Sequence, residues 1–418
     1  MKKLVIKNAR VVTPLGTKAL KGDEMSRLHT IDSASIIAED GFITHIGSSS
    51  ELPKEDSTTQ IIDAQGKTVM PGFVDSHTHL IFGGFRPDEF EWRLKGDTYM
   101  SIMERGGGIQ STVNATREED EDTLFKRAQF FLNRMSQMGV TTVEAKSGYG
   151  LDLQSEMKML DVIERLAVSP ETKVRIIATF MGAHAVPKEY KGRTADYVDL
   201  IIKEMLPRVK DKAQFCDIFT EKGVFELEDS ERLLMAARNM GMKLKLHADE
   251  IVSLGGAELA AKLDAVSADH LLHISETGIK ALAHSSTVAT MLPLTAFALR
   301  EEYAPARKLI DGGAAVALAT DLNPGSCFSG SIPLTIALAC IYMRMTIEET
   351  ISALTLNGAA AIGMADSIGS LEPGKKADII ILDYDNYRML PYYIGMNCVN
   401  TVIKDGNIMF KSESFPNK

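Results

Sequence analysis

The 418-residue sequence lacks several features that would point to other classes of protein. Its four cysteines include no Cys-x-x-Cys pair, which favours reduced intracellular thiols over disulfides or a zinc knuckle. A formal net charge of −10 leaves no basic excess for a nucleic acid or an anionic membrane. The longest apolar run, residues 332–343, contains Thr335 and is too short to span a bilayer. A signal-peptide core is also lacking, so we expect a cytoplasmic protein without membrane or nucleic-acid partners.

A histidine pair at the end of a short apolar run is the most informative feature present. Residues 71–79 read Pro-Gly-Phe-Val-Asp-Ser-His-Thr-His, and together with residues 68–70 they predict one buried strand ending just before His77 and His79. Residues two apart project from the same face of an extended chain, and neutral imidazole is a common ligand of zinc and iron. A His-x-His pair can arise by chance, but this stretch resembles the first barrel strand of the amidohydrolase superfamily.

Strands and helices alternate between residues 67 and 367. Apolar, β-branched runs separated by amphipathic helical patterns (123–138, 154–167 and 230–240, for example) predict eight strand-then-helix units. Eight such units predict an α/β fold of the (β/α)8 TIM-like barrel type, whose active site lies at the carboxyl ends of the strands. The predicted strands are the one before His77 and residues 140–144, 174–180, 215–219, 243–246, 265–268, 287–292 and 315–319.

Both ends of the chain contain short β-rich runs separated by turns. Examples are residues 4–6, 10–12, 35–37 and 42–46 at one end, with a Pro-Gly turn and strand at 371–382 and a strand ending in Asp-Gly at 400–406. These ends resemble the superfamily pattern in which both segments join into one small β-sandwich. We therefore expect a composite domain of residues 1–66 and 368–418 beside a catalytic barrel of residues 67–367. The alternative is two separate β appendages.

Five histidines follow predicted strands and should therefore meet on one rim of the barrel, together with acids. The best ligand set leaves positions open for water and substrate, as a catalytic metal requires. It matches the single-metal branch of the superfamily, because Lys222 is a poor candidate for the carboxylated lysine of the two-metal branch. Three histidines and one aspartate suit zinc and iron equally. The predicted ligands are His77, His79, His247 and Asp321.

Finer motifs resemble the imidazolonepropionase family over essentially the whole chain. The Ser-Gly-Tyr-Gly stretch at 147–150 and Asp-Leu-Asn-Pro-Gly at 321–325 are the most specific of them. The resemblance implies hydrolysis of the imidazolone ring C–N bond of 4-imidazolone-5-propanoate to N-formimidoyl-L-glutamate, a step of histidine degradation. It further implies one zinc or iron ion per chain and a homodimer. The remaining matching stretches are Arg86 and residues 105–113, 180–184 and 247–250.

This substrate has a carboxylate to hold and a ring to orient. Arg86 offers a bidentate fork for the propanoate, and its plainer role would be a loop salt bridge. Tyr149 and His184 would hydrogen-bond the ring, although a rim aromatic and a capping residue are the alternatives. The remaining substrate-binding candidates are Glu250 and the turn residues Asn323, Gly325 and Ser326.

The substrate also needs an attacking water, a stabilised oxyanion and a protonated leaving nitrogen. Glu250 is the predicted proton shuttle and His270 the carbonyl polariser. Asp321 is predicted to be both ligand and first proton acceptor. Glu250 could instead only orient His247.

Two other functions stay open at this level. One is another heterocycle hydrolase or deaminase of the same branch, which would have no need of Arg86 when its substrate lacks a carboxylate. The other is a catalytically silent scaffold, which retention of the whole ligand set disfavours.

We interpret residues 106–108 as a flexible loop, a candidate lid, because no strand or P-loop lysine accompanies them. The residues expected to have ordinary structural roles are His29, His45, His273, His284 and Cys327.

Overall fold

The computed structural model describes residues 2–48, 59–97, 101 and 105–413. These residues form two eight-stranded sheets, one rolled into a barrel and one assembled from distant parts of the chain. No helix in the described ranges is long and apolar enough to cross a membrane. All four cysteines lie within the described ranges and are free thiols.

The second sheet joins the two ends of the chain around its own apolar core. The strand at Ile379–Leu382 pairs with the strand at Thr68–Pro71, so the three C-terminal strands continue the sheet formed by the N-terminal ones. Ile6, Ile36 and Ile379 are among the side chains buried in its core. The domain boundaries expected at residues 66 and 367 stay a prediction. The strands are β1 (Lys3–Thr13), β2 (His29–Glu39), β3 (Phe42–Ser48), β4 (Thr59–Asp63), β5 (Thr68–Pro71), β14 (Ile379–Leu382), β15 (Val399–Lys404) and β16 (Asn407–Lys411).

The predicted (β/α)8 barrel is confirmed. Its parallel strands follow one another in sequence order, and helices on the outside supply the crossover that each parallel pair needs. Apolar, alanine-rich and β-branched runs suit these strands because both faces are buried. The strands are β6 (Phe73–Asp75), β7 (Val140–Lys146), β8 (Arg175–Ala183), β9 (Phe215–Thr220), β10 (Lys243–Ala248), β11 (Ser267–His270), β12 (Val288–Met291) and β13 (Ala315–Leu318).

The seam between the first and last barrel strands is closed by residues that follow them. The N–H of Asp321 donates to the carbonyl of His77 at 3.0 Å, and the N–H of His79 donates to the carbonyl of Leu322 at 3.0 Å. Below these bonds, the Asp75 carboxylate accepts from the Thr320 N–H at 3.0 Å and from its hydroxyl at 2.6 Å. Three of the predicted metal ligands therefore sit on the seam itself.

The helices are mostly short, and five of those described begin at a side chain that caps the first turn. Asp120 accepts from the Thr123 N–H and Asp152 from the Ser155 N–H, so each satisfies a donor that the first helical turn leaves free. The three helices named from the sequence are confirmed to within a few residues. The α-helices are α1 (Pro87–Leu94), α2 (Ile109–Glu118), α3 (Glu121–Gln137), α4 (Leu153–Val168), α5 (Thr194–Leu200), α6 (Leu206–Val209), α7 (Leu227–Asn239), α8 (Gly256–Lys262), α9 (Glu276–His284), α10 (Pro293–Leu299), α11 (Ala306–Asp311), α12 (Ile332–Ile341), α13 (Ile347–Leu354), α14 (Leu356–Ala360) and α15 (Met389–Tyr392).

The single strand predicted before His77 is in fact two strands in different sheets. Gly72 donates to the Asp378 carbonyl in the terminal sheet, whereas Phe73 donates to the Gly139 carbonyl in the barrel. A Cβ atom on Gly72 would lie 2.3 Å from the Thr141 side chain, so only glycine fits where the chain changes sheets. The expectation of one continuous strand was therefore wrong.

Two further expectations need correction. The runs at 4–6 and 10–12 belong to one strand, β1, which is interrupted by a bulge around Asn8 with a φ of 55°. The sixth barrel strand begins at Ser267 and not at Ala265, because its ladder starts where Lys245 pairs with Ser267. The same strand also ends later than expected, so Asp269 and His270 are its last two residues and do not follow it.

A cluster of charged side chains fastens the terminal sheet to the barrel, and we name it the joint cluster: Arg175, Asp378 and Asp405. Arg175, the first residue of β8, donates to Asp378 at 2.5 Å and to Asp405 at 2.7 Å. Asp378 also accepts from the backbone N–H of Asp405 at 2.9 Å. Its position at the start of β8 puts this contact at the amino end of the barrel, opposite the rim where the histidines converge.

Candidate metal centre and active site

The four predicted ligands come together at the carboxyl ends of β6, β10 and β13. The Nε2 atoms of His79 and His247 are 3.2 Å apart. Asp321 Oδ1 lies 3.6 Å from His77 Nε2 and 3.7 Å from His79 Nε2. All four side chains are buried. Such spacings fit atoms that share one central ion at about 2.0–2.2 Å.

The chemistry of these donors also fits a metal. His77 Nε2 and Asp321 Oδ1 are buried and have no hydrogen-bond partner among the described residues. Burial lowers the pKa of His77 and of His79 well below the usual value, so both imidazoles are neutral and carry a free lone pair. Unpaired buried polar atoms are costly, and a cation between them removes that cost.

Two aspartates fix the orientation of the ligand histidines. Asp269 Oδ2 lies 2.6 Å from His77 Nδ1, and Asp217 Oδ1 lies 3.2 Å from His247 Nδ1. Each carboxylate holds the proton on Nδ1 and therefore turns Nε2 toward the shared centre. No role was predicted for either aspartate. The available signal was Asp217, a lone acid inside an otherwise apolar strand.

Below the ligands lies a second charged group, the rim cluster: Lys146, Glu144, Asp217 and Asp269. Lys146 Nζ is 2.7 Å from Glu144, 2.8 Å from Asp217 and 3.9 Å from Asp269, and none of these side chains is exposed. Burial alone would lower the pKa of Lys146, but the surrounding carboxylates outweigh it and raise that pKa. The lysine is therefore a cation that compensates the acids holding the ligands.

The predicted proton shuttle and carbonyl polariser are neighbours. Glu250 Oε1 lies 3.5 Å from His270 Nδ1. Burial, with Asp321 and Glu221 nearby, raises the pKa of Glu250 to about 8, and burial raises that of Asp321 to about 6. Burial and the neighbouring His247 lower the pKa of His270 well below its usual value, so its ring is neutral and can donate from one nitrogen.

Backbone strain accompanies these groups. His270 has a φ of 76° and Asp321 a φ of 54°, a left-handed region that side chains rarely adopt. Neither ring nitrogen of His270 has a hydrogen-bond partner in the described part of the chain. A strained, unpartnered polar side chain held at a strand end is a typical feature of a reactive centre.

Tyr149 and His184 form an aromatic wall beside the ligands. The His184 ring stacks on His79 with centroids 4.6 Å apart, and Tyr149 lies 5.1 Å from His184. His184 Nδ1 is 3.1 Å from the Gly148 carbonyl oxygen, and the other ring nitrogen, Nε2, takes no part in this contact. Burial, with Asp321 nearby, raises the pKa of Tyr149, so its hydroxyl stays a hydrogen-bond donor.

The turn at residues 323–326 is held from within. Asn323 Oδ1 accepts from the N–H groups of Gly325 and Ser326, each at 2.8 Å. Its amide donates to the Asp321 carbonyl at 2.8 Å and to the Ser326 hydroxyl at 2.9 Å. The Asn323 side chain therefore shapes the turn.

Arg86 lies at the start of α1 and is already paired. Its Nε and Nη2 donate to Glu89 Oε2 at 2.9 and 2.6 Å. The Nη1 side of the guanidinium, which we call its free edge, is not engaged by Glu89. A Cβ atom on Gly325 would lie 2.2 Å from that Nη1, so the free edge faces the 323–326 turn. Gly108, at the end of the predicted loop, caps α2 and donates to Glu89 Oε1 at 3.1 Å.

The remaining histidines lie elsewhere. Three of them are exposed, and His284 is 2.7 Å from the Lys280 carbonyl within its own helix. Lys222 is also exposed, which agrees with its poor fit as a second-metal ligand. Cys327 is buried. The three exposed histidines are His29, His273 and His284.

Eight parallel strands with a histidine-rich ligand set at their carboxyl ends define a metal-binding barrel enzyme. The model of the amidohydrolase family matches residues 68–409. The chain belongs to the amidohydrolase family and, within it, to the imidazolonepropionase group of hydrolases. The resemblance found in the sequence is therefore confirmed.

Three relatives carry the name imidazolonepropionase. That of Phocaeicola vulgatus is 59% identical over 408 residues, covering 97% of this chain and 98% of its own length. That of Parabacteroides distasonis is 60% identical over 411 residues, with coverage of 97% and 98%. That of Clostridium tetani is 55% identical over 413 residues, with coverage of 98% for both.

Solved structures of more distant proteins share the fold. A triazine hydrolase variant superposes with a TM-score of 0.76 at 18% identity, covering 98% of this chain and 95% of its own. The 5-methylcytosine deaminase of Klebsiella pneumoniae, liganded with 5-fluorocytosine, gives a TM-score of 0.74 at 18% identity and covers 99% of both chains. An adenosine deaminase of Xanthomonas campestris with bound zinc gives 0.67 at 18% identity, covering 100% of this chain and 95% of its own.

Proposed function

We propose that the chain hydrolyses the imidazolone ring of 4-imidazolone-5-propanoate. Water adds to the ring carbonyl, the bond from that carbon to the ring nitrogen breaks, and the nitrogen takes up a proton. The product is N-formimidoyl-L-glutamate, so the reaction belongs to histidine degradation. The names of the 55–60% identical relatives support this substrate.

The observation that carries the proposal is a cation-binding set of donors next to an acid–imidazole pair. Unpaired His77 Nε2 and Asp321 Oδ1 face one point, and Glu250 with His270 lies beside it. Hydrolysis of a cyclic amide requires activation of water, stabilisation of an oxyanion and protonation of the leaving nitrogen. The site offers a group for each of these tasks.

We assign one zinc or iron ion per chain to the predicted ligands. When bound, such an ion supplies Lewis-acid chemistry, activating water and polarising a carbonyl. The neutral imidazoles and the carboxylate suit both metals. The ligands are His77, His79, His247 and Asp321.

The proton transfers are assigned to side chains of the rim. Asp321 is the first acceptor of the proton from the attacking water, and Glu250 carries that proton to the departing ring nitrogen. A pKa near 8 is close to neutral, which suits a group that must both accept and return a proton. The neutral His270 ring donates a hydrogen bond to the developing oxyanion.

The carboxylate arm of the substrate is assigned to the opposite end of the site. The free edge of Arg86 binds the propanoate, and Tyr149 and His184 hydrogen-bond the ring. Glu250, Gly325 and Ser326 complete the substrate contacts, with Asn323 holding the turn in shape. We further propose a homodimer located in the cytoplasm, in line with four free thiols.

The direct test is an assay with purified, metal-loaded protein. Ultraviolet absorbance of the imidazolone should fall on addition of enzyme, and mass spectrometry should identify N-formimidoyl-L-glutamate. Metal analysis should find about one ion per chain, and His77→Ala should lose metal and activity together. Ammonia release from cytosine or adenosine without imidazolone opening would make the protein a deaminase. Absence of bound metal and of turnover would make it a scaffold.

A further inference from the structure

Three charged side chains occupy one face of helix α1 beside the 323–326 turn. Arg86, Glu89 and Arg93 are three and seven positions apart, a spacing that places side chains on the same side of a helix. Arg86 and Arg93 both reach Gly325, and Glu89 reaches Gly108. This face therefore borders the end of the site assigned to the substrate carboxylate.

The charge of Arg86 is neutralised before any substrate arrives. Both its Nε and its Nη2 donate to one oxygen of Glu89, and the exposed fractions of the two side chains are only 13% and 9%. A tight, buried ion pair presents directed N–H groups but little net charge. Arg86 can thus orient a carboxylate, whereas the net attraction must come from another residue.

Arg93 is the cation of this group that forms no ion pair with a described residue, although Glu89 lies near enough to act on its charge. Its Nη2 donates to the Gly325 carbonyl at 3.0 Å, and none of the ion pairs in the described part of the chain includes it. Burial and the neighbouring Arg86 lower its pKa, but a guanidinium stays charged at neutral pH. The Arg93 Cζ atom also lies 5.7 Å from the centroid of the Phe90 ring. A partly buried cation with only these neutral contacts and no ion pair among the described residues attracts an anion more strongly than an exposed one does.

We propose that Arg93 is a second carboxylate-binding residue and that it determines the preference for a substrate with a carboxylate arm. Arg86 supplies orientation and Arg93 supplies net positive charge, while Glu89 neutralises Arg86. The turn carbonyl of Gly325 keeps Arg93 directed toward the bound arm. This inference rests on the proposed function, since it concerns the same substrate.

The experiment compares the acid substrate with its neutral propanamide in wild type, Arg93→Gln and Arg93→Lys. Arg93→Gln should raise KM for the acid by about ten-fold, leave KM for the amide within about two-fold and reduce the salt dependence of KM. Arg93→Lys keeps the charge and should retain most of the preference for the acid. A role limited to holding the turn would weaken both substrates alike.

Lys95→Gln is the matched control. Lys95 lies at the end of the same helix, and its replacement by Gln changes the net charge by the same amount. It pairs with Glu91 at the surface, where both side chains are more than half exposed. Its acid-to-amide ratio should equal that of wild type. An unchanged ratio in Arg93→Gln, or a loss in Arg93→Lys as large as in Arg93→Gln, would overturn the proposal.

Equilibrium binding separates this inference from the proposed function. Imidazole-4-propanoate has the carboxylate arm but no ring carbonyl to hydrolyse, so calorimetry reports on the arm without turnover. It should bind Arg93→Gln about ten-fold more weakly than wild type. Wild-type turnover together with equal binding by both proteins contradicts the role of Arg93 alone. Absence of imidazolone opening by wild type contradicts the proposed function instead.

Discussion

The rim cluster and the joint cluster lie at opposite ends of the barrel and bury charge in different ways. Lys146 and its carboxylates have no exposed surface. At the joint, by contrast, the side chains of Arg175, Asp378 and Asp405 are 13%, 3% and 30% exposed. Complete burial of charge is expensive, and partial exposure makes it much cheaper.

The difference follows from what each cluster holds. The joint cluster fastens two sheets, a task that apolar side chains also perform well. The rim cluster holds Asp217 and Asp269 against the Nδ1 atoms of His247 and His77, which apolar side chains cannot do. Full burial of charge is thus found where carboxylates orient the histidines proposed as metal ligands. Changes at the rim should therefore alter chemistry, and changes at the joint should alter only stability.

The largest effect is expected for Glu250→Gln, on the rim but outside the rim cluster. Turnover should fall by about 10²–10⁴ because the proton shuttle is lost, while metal content and the melting temperature remain unchanged. Steady-state kinetics and metal analysis check this, with the exposed Glu228→Gln as control. Near-wild-type turnover with full metal would rule out both the shuttle and the orienting role.

Lys146→Met should produce the largest loss of stability. Removing the cation leaves the buried Glu144 and Asp217 without a lysine partner, whereas Asp269 keeps Lys245 at 3.7 Å. The cost should be about 3–5 kcal/mol in the free energy of unfolding. Denaturant unfolding of the metal-free protein measures it. The control is Lys375→Met, because Lys375 is a buried lysine that donates to the carbonyls of Gly16 and Ala365 and has one partly exposed carboxylate, that of Glu372, at 3.6 Å. Equal losses in both variants would show that the rim cluster has no special cost.

Arg175→Met should break the joint with a smaller penalty. We expect the free energy of unfolding to fall by only about 1–3 kcal/mol, because Asp378 keeps the hydrogen bond from the Asp405 N–H. KM and kcat should stay at wild-type values. A change in metal affinity in this variant would contradict the separation between the two clusters.

The smallest effect concerns acid. Burial opposes ionisation of Asp405, but Arg175 and Lys404 outweigh it and lower its pKa below the usual 3.8. A lowered folded-state pKa stabilises the protein above the unfolded-state value, and this contribution is lost as pH falls through the folded-state pKa. The difference in unfolding free energy between wild type and Asp405→Asn, at most about 1 kcal/mol, should therefore shrink below about pH 4. A constant difference down to about pH 3 would show that Asp405 does not titrate this way.

The barrel could be predicted because each strand is a distinct apolar run. What the runs did not show was which neighbour each residue pairs with. Gly72 divides one apparent strand between two sheets, and its reason, contact with Thr141, lies almost seventy positions away. The start of β11 was likewise set by pairing with Lys245 and not by the apolar Ala265.

The candidate site divides in the same way. Histidines at strand ends could be placed on one rim by the rule for parallel barrels, and the structure brings them together. The supporting charges were missed because a single aspartate or lysine in a strand carries no spacing signal. No role was predicted for Glu89 or Arg93 for a related reason, since the contacts of Glu89 with Gly108 and of Arg93 with the distant Gly325 carry no spacing signal.

The closed seam of the barrel has a consequence for how the protein is made. The Asp75–Thr320 contact joins positions 245 apart, and the ligands His77 and Asp321 lie directly above it. A ribosome must therefore synthesise the last barrel strand before the ligand set can exist. Early histidines on a growing chain have no complete site to enter, so metal capture belongs to the end of maturation. Under the proposed ligand assignment, an ion can therefore enter the site only after the whole barrel has been synthesised.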